Sequence, residues 1–150
     1  MKITKIILIF TFFLSNSCGY KPIYYKNDQL IAKFNEIILE GEDRINRQII
    51  DNLSLKIDFS SNQTITLKTN YIIEETSKSS KGQVETYRSI INTELTIKDG
   101  KEIIKFRNIS ADTSYNNKDN KFELTKYQNE VKNNLINRIS EEIILILNLQ

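Results

Sequence analysis

The sequence predicts a two-layer α+β sandwich, in which two amphipathic helices cover one face of a four-stranded mixed or antiparallel sheet, in the order strand, helix, three strands, helix. Three observations predict it. Two stretches carry apolar residues at the three-to-four-residue spacing of a helix with one buried side. Other stretches alternate apolar and polar residues, as strands do when one face is buried and the other wet. No strand is apolar on both faces, which argues against a parallel sheet covered on both sides and for a single covered face. At 150 residues, 39% hydrophobic and 27% charged, the chain is one domain's worth and can bury a core.

Phe34–Glu40 (FNEIILE) is a short β-branched run ended by Gly41, a strand by length and composition. From Asp43, the expected N-cap, Ile45, Ile49, Leu53 and Ile57 recur with Ile50 beside them, so a helix of three to four turns is expected through Ile57. After Ser60-Ser61-Asn62 the run Thr64–Glu74 alternates. Ile65, Leu67, Tyr71 and Ile73 share one face, and Thr64, Thr66, Lys68 and Asn70 the other. Thr76–Gly82 (TSKSSKG) is expected to be a polar, basic loop. In Val84–Lys98, Ile91, Thr93, Leu95 and Ile97 point inward and Asn92, Glu94 and Thr96 outward. Asp99-Gly100, flanked by alternation, predicts a two-residue type I′ hairpin, and Ile103–Ile109 the returning strand.

The last helix is the clearest element. Tyr127, Val131, Leu135, Ile139, Ile143 and Leu147 step by four, with Leu124, Ile136 and Ile146 flanking them and Lys132, Asn133, Asn137 and Arg138 outward. Its start lies between Asp119 and a capping box at Thr125-x-x-Gln128. Ile143–Leu149 (IILILNL) is apolar around more of its circumference than one sheet face needs. Either these are core residues of an isoleucine-rich chain, or they form an exposed stripe for a protein partner.

Composition narrows the chemistry. The chain has no His, one Cys, no Trp, one Pro and four Gly. Ser-His-Asp and Cys-His triads, His-ligated zinc and an intramolecular disulfide are therefore excluded. Phosphate-cradling, dinucleotide, zincin and nucleophile-elbow motifs do not occur. The carboxylate pairs Glu74-Glu75 and Glu141-Glu142 are sequence neighbours, which point apart on a strand and lie about 100° apart on a helix. They read as solvated charges, and the expected role is non-enzymatic, with no metal and no catalytic residue.

The first eighteen residues address the compartment. Lys2 and Lys5 precede the apolar run Ile6–Leu14, and Ser15-Asn16-Ser17 leads to Cys18, the layout of a signal peptide. The run is far short of the ~20 residues that span a bilayer. The only cysteine follows it directly, where S-diacylglycerol and N-acyl modification would make a lipoprotein; Ser15 stands where a lipobox usually has an aliphatic residue, with Leu14 one place earlier. Gly19 after the Cys favours the outer membrane by the sorting rule of enteric bacteria. The expected organisation is a signal peptide over 1–17, a lipidated tether over 18–33 and a domain over 34–150. Removing Lys2 and Lys5 from 21 basic and 19 acidic residues leaves 19 against 19, with no global field to attract nucleic acid.

Cys18-Gly19-Tyr20-Lys21-Pro22-Ile23-Tyr24 resembles the mature N-terminus of the LPS-assembly lipoproteins, the LptE family, which reads Cys-Gly-Phe-x-Pro-Leu-Tyr. Asp43–Leu53 is similar to that family's first-helix pattern, and Tyr115-Asn116 before a C-terminal helix, with the spacing of Val131, Arg138 and Ile143, is similar to its end. The resemblance implies a lipoprotein on the periplasmic face of the outer membrane. Such a protein assists assembly of the translocon β-barrel LptD, plugs its lumen and binds lipopolysaccharide (LPS). A barrel lumen is polar and wet, which the outward strand residues would suit. Phosphates and acidic sugars call for basic side chains, and Lys78, Lys81 and Arg88, around the connection of the second and third strands, are the expected LPS contacts. The competing expectation is a free envelope lipoprotein, acting as a periplasmic lipid-binding or structural module.

Overall fold

The computed structural model describes residues 32–148; the signal peptide, Cys18 and the tether up to residue 31 lie outside the described residues, as do residues 149–150. The elements are β1 (Glu36–Gly41), α1 (Asp43–Leu53), β2 (Gln63–Lys78), β3 (Val84–Asp99), β4 (Glu102–Asn116) and α2 (Lys121–Asn148). The fold is the expected α+β sandwich in the expected order. The sheet runs β1-β2-β3-β4, with β1 parallel to β2 and the other pairs antiparallel.

The core lies between the helices and one sheet face. Ile45, Ile49 and Leu53 of α1 and Val131, Leu135, Ile136, Ile139, Ile143 and Leu147 of α2 are buried against Ile65, Leu67, Ile91, Leu95, Ile97, Ile109 and Ala111. The four-residue stepping put the right side of α2 inward. The tail of α2 resolves the two readings of its apolar circumference: Ile143 and Leu147 are buried, Ile144 and Ile146 pack against the core, and of the tail's apolar residues among those described only Leu145 is exposed, at 61%.

Junctions correct several local expectations. Asp43 is the first helical residue, not the cap. Glu42 precedes it without a capping side chain, and the Asp43 carboxylate accepts from Arg47 Nε at 2.8 Å one turn on. Gly41 carries φ +81°, and a Cβ there would stand 2.2 Å from the Thr69 carbonyl oxygen, so the turn into α1 admits only glycine. The side chain of Asn46, fully buried, donates to the Glu40 carbonyl at 2.8 Å and ties α1 to the end of β1. The helix stops at Leu53, a turn before Ile57, with Ser54 in the left-handed conformation. Beyond it Ile57 bridges Phe34, and Asp58 N–H donates to the Phe34 carbonyl at 2.8 Å. Phe34, wholly buried, takes the core place that periodicity assigned to Ile57, which is 53% exposed.

The β3–β4 turn is shifted by one residue. Asp99 pairs with Glu102, so Gly100 and Lys101 are the loop, and of these two only Gly100 has positive φ (58°). That is the glycine-first two-residue hairpin rather than type I′ at Asp99-Gly100. β4 also runs on to Asn116, well beyond Ile109. For α2, the Asn120 carboxamide accepts from Phe122 N–H at 2.8 Å and Glu123 N–H at 3.4 Å, capping the helix ahead of Thr125. At the other end Lys105 Nζ donates to the Ile146 carbonyl at 3.0 Å, serving one of the carbonyls that the helix leaves unpaired.

Candidate functional site

β2 and β3, at 16 residues each, run roughly 50 Å, whereas α1 begins only where Glu42 N–H meets the Thr69 carbonyl. Above that level α2 alone covers the sheet. The molecule thus has a proximal end, where residue 32 enters and both helices pack, and a distal end made by the β2–β3 hairpin.

The distal hairpin is longer than composition suggested. Thr76–Lys78, expected in a loop, belong to β2, because Thr76 and Ser77 hydroxyls each bond the Thr86 hydroxyl at 2.7 Å across the strands. The tip is Ser79–Gln83, closed by Ser79 N–H to the Gln83 carbonyl at 2.8 Å and Gly82 N–H to the Ser79 carbonyl at 2.9 Å. Lys81 lies on this tip, exposed and without an ion pair among the described residues. Lys78 reaches the Glu75 carboxylate at 3.0 Å. Arg88, on the uncovered face, donates from Nε to Asp112 at 3.0 Å and stands opposite Glu74. That hydrogen bond holds the Asp112 carboxyl below its ordinary range and raises Arg88 further. The three basic residues are therefore spread along the hairpin, and two of them are already paired.

Opposite the helices, the sheet face presents Thr64, Thr66, Lys68 and Asn70 from β2 and Asn92, Glu94 and Thr96 from β3, all at least partly exposed as expected. Lys68 pairs with Glu94 at 3.2 Å, and Ser110 donates to Asn92 at 2.7 Å. Such exposed pairs are worth little individually. Their consequence is a face with both donors and acceptors on offer, although Ile38, Ile72, Ile90 and Phe106 also lie on it.

Sequence reasoning missed a third feature. Under the first turns of α2, the buried Ser89 hydroxyl bonds the Tyr115 hydroxyl at 3.1 Å and the Tyr71 hydroxyl at 3.2 Å. Tyr87 stacks on Tyr115 with centroids 5.9 Å apart, and Tyr127 meets Tyr115 edge-on at 5.7 Å. Lys132 Nζ lies 5.8 Å above Tyr71 and Lys118 Nζ 5.4 Å above Tyr127. Burial pushes the Tyr71 phenol up. The signal that could have found this cluster is the run of Tyr and Ser at inward positions, Tyr71, Tyr87, Ser89 and Tyr115, where the proximal strands carry Ile and Leu. Tyr127, expected in the buried stripe, is 38% exposed, and Ile73 is 41% exposed because no α1 reaches its level.

Two shallow clefts lie on the described surface. One of about 370 Å³ at the proximal end is lined by Ala32, Lys33, Ser61, Gln63, Asp99 and Leu147, and one of about 250 Å³ between the helices by Gln48, Asn52, Asn133 and Asn137. Among the described residues no group of three metal-binding side chains occurs, and no helix is long and apolar enough to cross a membrane.

No protein-family model matches the sequence, and no curated protein matches it. Solved structures do match. Rare lipoprotein B from Shewanella oneidensis superposes with a TM-score of 0.61 at 17% identity, over 76% of this chain and 94% of that one. An uncharacterized lipoprotein B from Nitrosomonas europaea gives 0.58 at 11% identity, over 80% and 87%. A minor lipoprotein from Acinetobacter baumannii gives 0.53 at 17% identity, over 76% and 90%. The chain has the fold of these bacterial lipoproteins.

Proposed function

We propose that this protein is an outer-membrane lipoprotein, anchored by acyl groups on Cys18 at the periplasmic face, which helps assemble and then plugs the β-barrel LptD of the LPS translocon. It works by occupancy and binding rather than by covalent chemistry. The observation that carries this reading is the sheet: one face stays free of helices over strands of roughly 50 Å and is largely polar, with Ile38, Ile72, Ile90 and Phe106 set among its hydroxyls, amides and charges. That length exceeds the ~30 Å hydrocarbon core of a bilayer, and the bare face offers hydroxyls, amides and charges to a wall that is itself polar. The likeness in fold to rare and minor lipoproteins supports the envelope setting, and the Cys18–Tyr24 stretch supports the family. LPS contact is assigned to the distal hairpin, led by Lys81, with Lys78 and Arg88 exchanging carboxylate partners for phosphate or acidic sugar.

The test is purification of the tagged full chain from membranes in mild detergent. A large β-barrel protein at one-to-one stoichiometry is the expected companion. Recovery of the chain alone, still acylated, would replace the plug with a free envelope lipoprotein.

A further inference from the structure

The proximal end carries an apolar rim that the core does not use. Phe59 is 88% exposed, Ile57 53%, Ile103 57% and Ile104 44%. These side chains share one end of the molecule. Ile57 bridges Phe34 next to residue 32, Gly100 N–H donates to the Asn62 carbonyl at 3.2 Å, and Ile103 pairs with Lys98 one step from the β3–β4 turn.

Phe59 is held out by a built turn. The Asp58 carboxylate accepts from the Ser60 hydroxyl at 2.6 Å and the Ser60 N–H at 3.0 Å, and pairs with Lys33 Nζ at 3.0 Å. Ser61 N–H closes onto the Asp58 carbonyl at 3.0 Å, and the Ser61 hydroxyl donates to the Lys33 carbonyl at 2.6 Å. A phenyl ring fixed in water at the apex of such a turn has no folding role, since it leaves its apolar surface wet. The opposite tip, Ser79–Gln83, has no apolar residue.

The chain between Cys18 and the described domain enters at this same end. Residues 18–31 number fourteen and reach at most about 50 Å even when fully extended. They include Tyr20, Tyr24 and Tyr25 with Lys21 and Lys26, the aromatic and basic types favoured at a bilayer's interface. Lys56, Lys98 and Lys101 are exposed around the rim and lack ion pairs among the described residues, with Asp99 and Glu102 between them. Their near balance leaves the apolar side chains, rather than net charge, to choose the contact.

We infer that this rim lies against the lipid headgroups, with Phe59 inserted at the interface. The inference rests on the Cys18 anchor.

The chain contains no tryptophan, so a single indole reports its own surroundings. Phe59→Trp and, as the distal control, Phe122→Trp, also exposed at 77%, are introduced separately into the full mature lipoprotein. Each is reconstituted into phosphatidylethanolamine–phosphatidylglycerol vesicles with and without brominated acyl chains, and acylation is read first by palmitate labelling. The expected result is a blue-shifted emission at position 59 that brominated chains quench, with neither effect at 122. An acylated chain whose indole at 59 emits as in water, or whose two indoles are quenched alike, overturns the rim contact and leaves the anchor standing. A chain without acyl label overturns the anchor, and the rim contact with it.

Discussion

The proximal and distal halves of the sandwich share one sheet and one helix yet are built from different side chains. Proximally, α1 and α2 together cover β1–β4, and the inward positions are Ile65, Leu67, Leu95, Ile97 and Ile109, all buried. Distally only α2 remains, and Tyr71, Tyr87, Ser89 and Tyr115 join Ile91 and Ala111 at the inward positions. The change begins where Thr69 and Thr93, buried side by side, bond hydroxyl to hydroxyl at 3.0 Å. The difference teaches how a long sheet tolerates an incomplete helical layer. Where cover is full, aliphatic burial stabilises most. Where it is partial, side chains with an apolar body and a polar tip bury what they can and bond the rest.

The largest effects should therefore come from the doubly covered half. Leu135 and Ile139 are wholly buried, and Leu135→Ala or Ile139→Ala should each cost about 2–5 kcal/mol by transfer and cavity. Urea unfolding of the mature domain measures this. A loss below about 1 kcal/mol at both positions would mean that the helix layer does not carry the stability assigned to it.

A smaller loss is expected in the hydroxyl-bonded half. Ser89→Ala removes the shared partner of Tyr71 and Tyr115 and should cost about 1–3 kcal/mol, the penalty for stranding buried polar groups. Tyr115→Phe in the Ser89→Ala background should then add little, since its hydroxyl has already lost its partner. Additive losses in that double-mutant cycle would show that the two groups act independently.

These contrasts also show what the sequence made legible. Helix faces and strand alternation are local properties, and Leu135, Ile139, Leu67 and Leu95 sit where their spacing placed them. Ile57 fits the helical period equally well, but a tertiary partner, Phe34, takes the core place instead, and no local pattern reports that competition. The Asp-Gly signal located a turn and missed its frame by one residue, because register is set by pairing along both strands. The basic trio looked compact only in sequence. On a strand Lys78 and Arg88 stand apart, and their neutralisation by Glu75 and Asp112 depends on the irregular end of β2 and on a neighbouring strand. The tyrosine cluster was visible as residues at inward positions, but its meaning required knowing that α1 stops short.

At the proximal rim the comparison acquires a pH dependence. Hydrogen bonds from Ser60 and Lys33 bring the Asp58 carboxyl down to about 2. A carboxylate with a depressed folded-state value contributes stability above its unfolded value near 4, and the contribution fades as pH falls from there toward 2. Asp58→Asn should flatten the acid limb of the wild-type stability profile in that window. Because the site is exposed the change should be small beside the core losses, and identical acid limbs for the two proteins would remove Asp58 from the account.

The smallest stability effect, and the one closest to function, belongs to the distal tip. Lys78→Glu with Lys81→Glu reverses two exposed charges, which should change stability by no more than about 0.5 kcal/mol. Folding and binding should therefore separate: the unfolding curve stays in place while retention on immobilised LPS falls. The wild-type interaction should itself weaken with salt, since exposed charges are screened over about 8 Å at physiological ionic strength. Copurification of the barrel should persist, because in the proposed arrangement it is held by the broad polar sheet face and not by two lysines. If the double mutant binds LPS as tightly as wild type at low salt, the hairpin is not the contact. Attention would then move to Lys118 and Lys132 over the half-covered tyrosines, the remaining place at the distal end where cations and aromatic faces lie together.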